Sequence, residues 1–223
     1  LTKDVLLSVR LLKLNQEEHI LIVTMHHIAS DGWSMGILVN EFNILYTSYA
    51  KGKSNPLSKL NIQYSDYAYW QRQWLKGTGL DEQTNYWKNQ LSDLPVLHSL
   101  PLDKPRPIIQ SFNGDTYHSQ IHKDLLRSLY DLCRSEGASL FMGIHAAFSS
   151  LLARYSNEND IVIGTPLANR EKAETSDLVG FFMNLLVLRS DLSQKPSFKE
   201  LLRQSKKMLE EAYAHQQMPF EKL

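Results

Sequence analysis

Two apolar runs open the chain. Residues 4–13 and 18–26 are rich in apolar residues, and Asn15, Gln16 and Glu17 separate them. The pattern predicts a β-hairpin whose sheet is covered on both faces. Helical spacing then takes over: from about Ser34, Leu38, Phe42, Leu45 and Tyr49 recur on one face, and Gly52 stands where a C-terminal glycine stop belongs. Residues 53–63 are rich in Ser, Asn and Pro and read as loop. Two aromatic-rich helices follow, YSDYAYWQRQWL and LDEQTNYWKNQL, broken by Gly77 and Gly79.

LPLDKPRP (100–107) carries three prolines in eight residues and marks an extended crossover between two lobes. Beyond it the pattern predicts a strand over 115–121 and a helix over 123–136 closed by Gly137. A second helix over 140–155 has Ser139 as N-cap, strands cover 160–164 and 181–192, and a last helix covers 197–214. There is no internal repeat, so the chain reads as mixed α/β, with residues 1–107 in one lobe and 108–223 in the other.

Composition narrows the function classes. The 223 residues are 43% hydrophobic, enough for a real core, and Lys+Arg and Asp+Glu are 24 each, with no long run of either sign. Nothing points to nucleic acid. Cys133 is the only cysteine, which excludes an internal disulfide and a thiolate-rich metal site and fits a reducing cytoplasm. No apolar stretch approaches the roughly 18 residues of a membrane span, and the N-terminus shows no signal pattern. The chain starts close to a strand and stops in an opening helix, as a piece of something longer would.

The sharpest chemical feature is His26-His27-Ile28-Ala29-Ser30-Asp31-Gly32, at the end of the second apolar run. Adjacent strand residues point to opposite faces, so the two imidazoles do different jobs. One can project into a cleft from a loop that turns on Gly32. The bland alternative is a pair of satisfied histidines capping a sheet. A metal site of His26, His27 and Asp31 is the weaker reading, because the rings diverge and helical ligand spacing is absent. Tyr64, Tyr67 and Trp70 form one aromatic helix face, which reads as packing. Gly180 permits a bend before a buried strand, and Asn184, the polar group there, is either a structural tie or a cavity-lining residue. HQQMPFEKL reads as the end of one helix and, through Pro219, the start of another.

HxxxDG resembles the active-site motif of the chloramphenicol acetyltransferase-like acyltransferases, and MHHIASDGWS resembles the form found in condensation domains of nonribosomal peptide synthetases. Residues 64–70 resemble the family's YxDxAxW motif, 179–184 its (I/V)GxFVN motif and 215–221 its HQDxPFE motif, in the family's order. DKPRP and IGTPLANR are similar to family segments too, so the likeness covers the whole chain. Leu185 replaces the usual Thr and Gln217 the usual Asp. The early SxAQxRLW and RHExLRT motifs and the late RDxSRNP motif are absent, so the chain resembles the middle half of a full domain, truncated at both ends.

The resemblance implies an α/β fold of two lobes in a V and a reaction that forms a peptide bond between thioesters held on two carrier domains. It makes His27 the catalytic residue and leaves His26, Gly32 and Trp33 as support. It makes Asp31 a structural ion-pair partner, for which Arg170, Arg189 or a residue outside the chain would serve. It implies no cofactor of the domain's own, with substrates arriving on phosphopantetheine arms of upstream and downstream carrier domains beside an adenylation domain. DGWSMGIL is most similar to the subtype that joins two L-residues. An imidazole could take the amine's proton, typically worth about 10² to 10⁴ in rate, or position the amine. The rival readings are an acyl-CoA O-acyltransferase with a similar HHxxxD loop, and a non-catalytic carrier-docking or remnant module.

Overall fold

A computed structural model describes residue 3, residues 5–77 and residues 79–223. Asp4, at the start of the first expected strand, lies outside the described residues. The order of elements is β1 (Leu7–Lys13), β2 (His19–Met25), α1 (Gly32–Ala50), α2 (Tyr64–Trp74), α3 (Gly79–Gln90), α4 (Lys123–Ser135), α5 (Leu140–Ser156), β3 (Asp160–Leu167), β4 (Asn184–Asp191) and α6 (Phe198–Ala214). Short 3₁₀ turns lie at His27–Ala29, Ala173–Thr175 and Phe220–Lys222. The chain forms two compact units: one runs to Gln83 and takes in Pro166–Asn184, the other joins Thr84–Thr165 to Leu185–Leu223. This partition is by contact and is discontinuous in sequence, unlike a change of lobe at 107.

In the first unit β1 and β2 pair antiparallel, Leu7 opposite Met25 and Lys13 opposite His19. The turn is built by Asn15, whose Oδ1 accepts from the N–H groups of Glu17 and Glu18, both at 2.9 Å. Leu7, Val9, Leu21 and Val23 share one face of this ribbon and look across a groove of about 340 Å³ at Met35, Leu38, Phe42 and Leu45 of α1. Neither face is buried among the described residues: Val9 is 55% exposed on the groove side, and Leu12 and Ile20 are each 45% exposed on the other. The expected burial of both faces is therefore corrected. Apolar residues on two faces permit cover, but a two-stranded ribbon needs further layers to receive it. α1 ends as the glycine predicts: Gly52 has φ +67, its N–H reaches Tyr49 O, and Lys53 N–H reaches Ser48 O.

In the second unit α5 packs on α4 and α6. Gly143 of α5 lies so close to Cys133 of α4 that a Cβ would run into the sulfur. Ile161, Leu186, Leu188, Leu202 and Leu209 complete the buried core. Gly137, at φ +62, closes the turn after α4, and Ser139 caps α5 by accepting from Met142 N–H. β3 and β4 pair, and Arg189 forks onto Asp160 at 2.9 and 2.8 Å.

Two strand expectations are corrected. Residues 115–121 form no strand: Tyr117 is 91% exposed, and no neighbouring edge among the described residues takes the segment's hydrogen bonds. β4 begins at Asn184 rather than at 181, because the peptide unit joining Phe181 to Phe182 is held by side chains of the first unit.

His145 on α5 is buried, with Nδ1 3.0 Å from Ser205 Oγ of α6 and Nε2 without a hydrogen-bond partner among the described residues. Burial holds its pKa below the usual imidazole value. The unfolded chain protonates this histidine near pH 6.5 while the folded chain keeps it neutral, so its stabilising contribution is complete above that pH and is lost below it. Thermal melts should therefore give a lower Tm at pH 5.5 than at pH 7.5, and His145→Gln should flatten that interval. An undiminished slope in the variant would assign the dependence to other groups.

Candidate functional site

The loop after β2 separates the two histidines by hydrogen bonding. His26 N–H extends the hairpin ladder to Leu6 O at 2.8 Å, and His26 Nδ1 accepts from Ile28 N–H at 3.0 Å, capping the 3₁₀ turn. Its proton is thereby assigned to Nε2. His27 is the reverse. Its Nδ1 lies 2.5 Å from Ser30 O, a carbonyl that can only accept, so Nδ1 carries the proton and Nε2 keeps its lone pair. The His27 ring is exposed and meets the Phe181 ring at 90°, with centroids 5.2 Å apart.

Asp31 faces the other way, into the unit. It is the N-cap of α1: Oδ1 accepts from Ser34 N–H at 2.8 Å and from Ser34 Oγ at 2.7 Å. Arg170 Nη2 reaches both carboxylate oxygens, at 3.1 and 3.2 Å, and Phe182 N–H donates to Oδ2 at 3.1 Å. The Arg170 side chain is 1% exposed, and its Nη1 donates to Thr175 O and Leu178 O. The Phe182 ring lies 4.1 Å from the guanidinium carbon. Burial alone would push the Asp31 carboxyl up. The hydrogen bonds from Ser34 and Phe182 and the Arg170 charge outweigh it and hold the carboxyl below its usual value.

The aromatic helix face closes the site from behind. Tyr67, Leu178 and Phe182 form a buried cluster with Tyr64 and Trp70 packed on it. Burial pushes the Tyr67 hydroxyl up to about 12. Asp66 caps α2 by accepting from Gln63 N–H at 2.8 Å. Gly180 is obligatory, because the Tyr64 ring occupies the place a Cβ would take. Trp33 donates from Nε1 to Ser176 O at 2.9 Å while half its surface stays exposed.

Asn184 opens β4 and is partly buried. His215 ends α6, stacks on Tyr86 and accepts from Trp87 Nε1 through its carbonyl. A cavity of about 610 Å³ lies between α1, residues 57–62 and residues 173–178, and His27 does not line it. His27 stands on its loop geometry rather than on that hollow. Among the described residues no cluster of three or more His, Cys, Asp or Glu side chains could hold a metal, and no helix is long and apolar enough to cross a membrane.

A family model described as Condensation domain matches residues 1–223. The chain belongs to the condensation-domain family. A linear gramicidin synthase from Brevibacillus parabrevis is 49% identical over the whole chain, which spans 4% of that protein's length. The X-domain of teicoplanin biosynthesis, solved in complex with OxyB, superposes with a TM-score of 0.93 at 31% identity over 99% of this chain and 50% of its own. A four-domain nonribosomal peptide synthetase solved with AMP and glycine gives 0.84 at 26% identity, over 96% of this chain and 16% of that one. The mixed α/β, chloramphenicol acetyltransferase-like fold implied by the motifs is thus the fold of this condensation domain.

Three of the condensation-domain motifs, at 26–32, 64–70 and 179–184, meet in the first unit through residues the motif reading undervalued, while that at 215–221 lies in the second. Ser34 is the chief one: it accepts from Gly180 N–H and Arg170 Nη2 while its proton goes to Asp31 Oδ1 or Gly180 O. Its sequence signal was an N-cap spacing, Asp31 three residues before a serine at a helix start. Arg170, one of two arginines considered for Asp31, is the partner found, and Arg189 is engaged by Asp160. Removing one member leaves a buried charge unpaired. Arg170→Leu and Asp31→Leu should each cost about 3–5 kcal/mol in urea unfolding, and the double variant less than their sum. Single losses below about 1 kcal/mol would show that the pair is not structurally coupled.

Proposed function

We propose that the domain carrying this chain joins a carrier-bound acyl or peptidyl thioester to the amine of a carrier-bound aminoacyl thioester, with His27 as the catalytic residue. The observation that supports it most is the His27 tautomer: Nδ1–H is held on Ser30 O, so in the neutral ring the lone pair is on Nε2 of an exposed residue. The amine attacks the thioester carbonyl, the C–N bond forms, Nε2 takes the amine proton, and the C–S bond breaks with the proton passing to the departing thiolate. The α-amino group, with a usual pKa of about 7.7 to 8.0, is partly uncharged at neutrality and needs little basicity from the imidazole. Holding two tethered substrates together supplies much of the remaining advantage.

On this reading His26, Asp31, Gly32 and Trp33 support the loop and Asn184 lines the substrate passage, not the 610 Å³ hollow, whose walls do not include it. The domain binds no cofactor itself, and its partners are the carrier domains on either side and a neighbouring adenylation domain. We assign residues 1–107 and 108–223 to the two lobes on the strength of the proline-rich crossover. The single cysteine supports a cytoplasmic setting, and DGWSMGIL supports the subtype that joins L-residues. A second reading, a docking module without chemistry, is favoured by the likeness to an X-domain solved with a protein bound to it.

One assay separates the two. In a domain extended at both ends to the length of its solved relatives, two loaded carrier proteins are offered, with L- and D-donors, and dipeptidyl product is followed by mass spectrometry. His27→Ala should lower the rate by about 10²-fold or more. His26→Ala should first lower the yield of folded protein. Wild-type turnover by the His27 variant would remove the catalytic assignment, and absence of product from the unaltered domain would favour docking.

A further inference from the structure

One hydrogen bond on Nδ1 fixes the tautomer but leaves the two side-chain torsions of His27 room to librate, so a second contact sharpens the direction of Nε2. The Phe181 ring, perpendicular to the imidazole with centroids 5.2 Å apart, supplies it. Phe181 is in turn held by an unusual clamp. The peptide unit between Phe181 and Phe182 is gripped at both polar ends: its carbonyl accepts from the Tyr64 hydroxyl at 2.7 Å, and its N–H donates to Asp31 Oδ2 at 3.1 Å.

Tyr64 can approach this closely because Gly180, one residue earlier, has no Cβ. Burial and the nearby Asp31 charge both raise the Tyr64 pKa, so its hydroxyl stays a donor. Residues from three separated motifs thus converge on one peptide unit, whose side chain braces the imidazole.

We propose that Phe181 and Tyr64 are positioning residues for His27, Phe181 by ring contact and Tyr64 by fixing the Phe181 peptide, and that Asp31 acts on the imidazole by this same route rather than as a proton relay. The proposal rests on reading His27 as the proton acceptor.

The test uses the extended domain with Phe181→Leu, Tyr64→Phe, their double variant, Phe181→Tyr and His27→Ala. Tyr64→Phe keeps the ring that fills the space beside Gly180 and so preserves the fold even where Phe181→Leu does not. Phe181→Leu and Tyr64→Phe should each lower kcat by roughly three- to tenfold with little change in KM for the loaded carriers. The double variant should be no worse than Phe181→Leu alone, since Tyr64 acts through Phe181. Phe181→Tyr, which keeps the ring, should recover most of the rate.

In 13C-histidine-labelled protein the His27 ring resonances should move in the first three variants and return in Phe181→Tyr. Wild-type kcat in both single variants, additive losses in the double, or unmoved His27 resonances would overturn the proposal. If His27→Ala itself turns over normally, the catalytic reading fails, while the resonances still report whether the brace exists.

Discussion

A buried carboxylate has to be surrounded by donors, and the first unit is organised around meeting that demand for Asp31. Its donors come from the turn after it, Ser34, from Arg170 just beyond β3, and from Phe182 ahead of β4. Segments far apart in sequence are therefore tied to one pair of oxygens. The arrangement specifies geometry more than it adds stability, because desolvating both Asp31 and Arg170 offsets much of their attraction. Losing either one is expensive for the same reason.

What this anchoring does for chemistry is indirect. Asp31 points away from His27, and no hydrogen bond joins the two among the described residues. It starts α1, fixes where the loop ends and holds the Phe182 N–H, while Ser30 O selects the His27 tautomer. The two histidines differ in the same terms: one Nδ1 accepts from a backbone N–H and the other donates to a carbonyl. A shared motif thus contains one imidazole occupied by the turn and one left with a lone pair on Nε2.

The aromatic motif has a parallel division. Tyr67 and Trp70 pack, as one apolar helix face does. Tyr64 adds a polar end to the same face, and its hydroxyl reaches the backbone of the glycine-containing segment. The glycine is required by contact with that ring, not by an unusual φ. The bend expected at Gly180 is present, and side chains hold the Phe181–Phe182 peptide before the chain enters β4 at Asn184.

By itself the sequence determined the elements whose causes are local. The hairpin turn at Asn15, the glycine stops at 52 and 137, the Ser139 cap and the helical stripes all rest on neighbours within a few residues. The motif order was likewise enough to place the family. Tertiary structure decided what depends on distant partners. It decided that both hairpin faces stay exposed among the described residues, that 115–121 makes no strand, that Asp31 takes Arg170 rather than Arg189, and that Ser34 and Phe181 belong to the site. A strand, a buried charge and a ring contact each need a partner that comes from elsewhere in the chain. The order of residues alone does not say which segment will arrive.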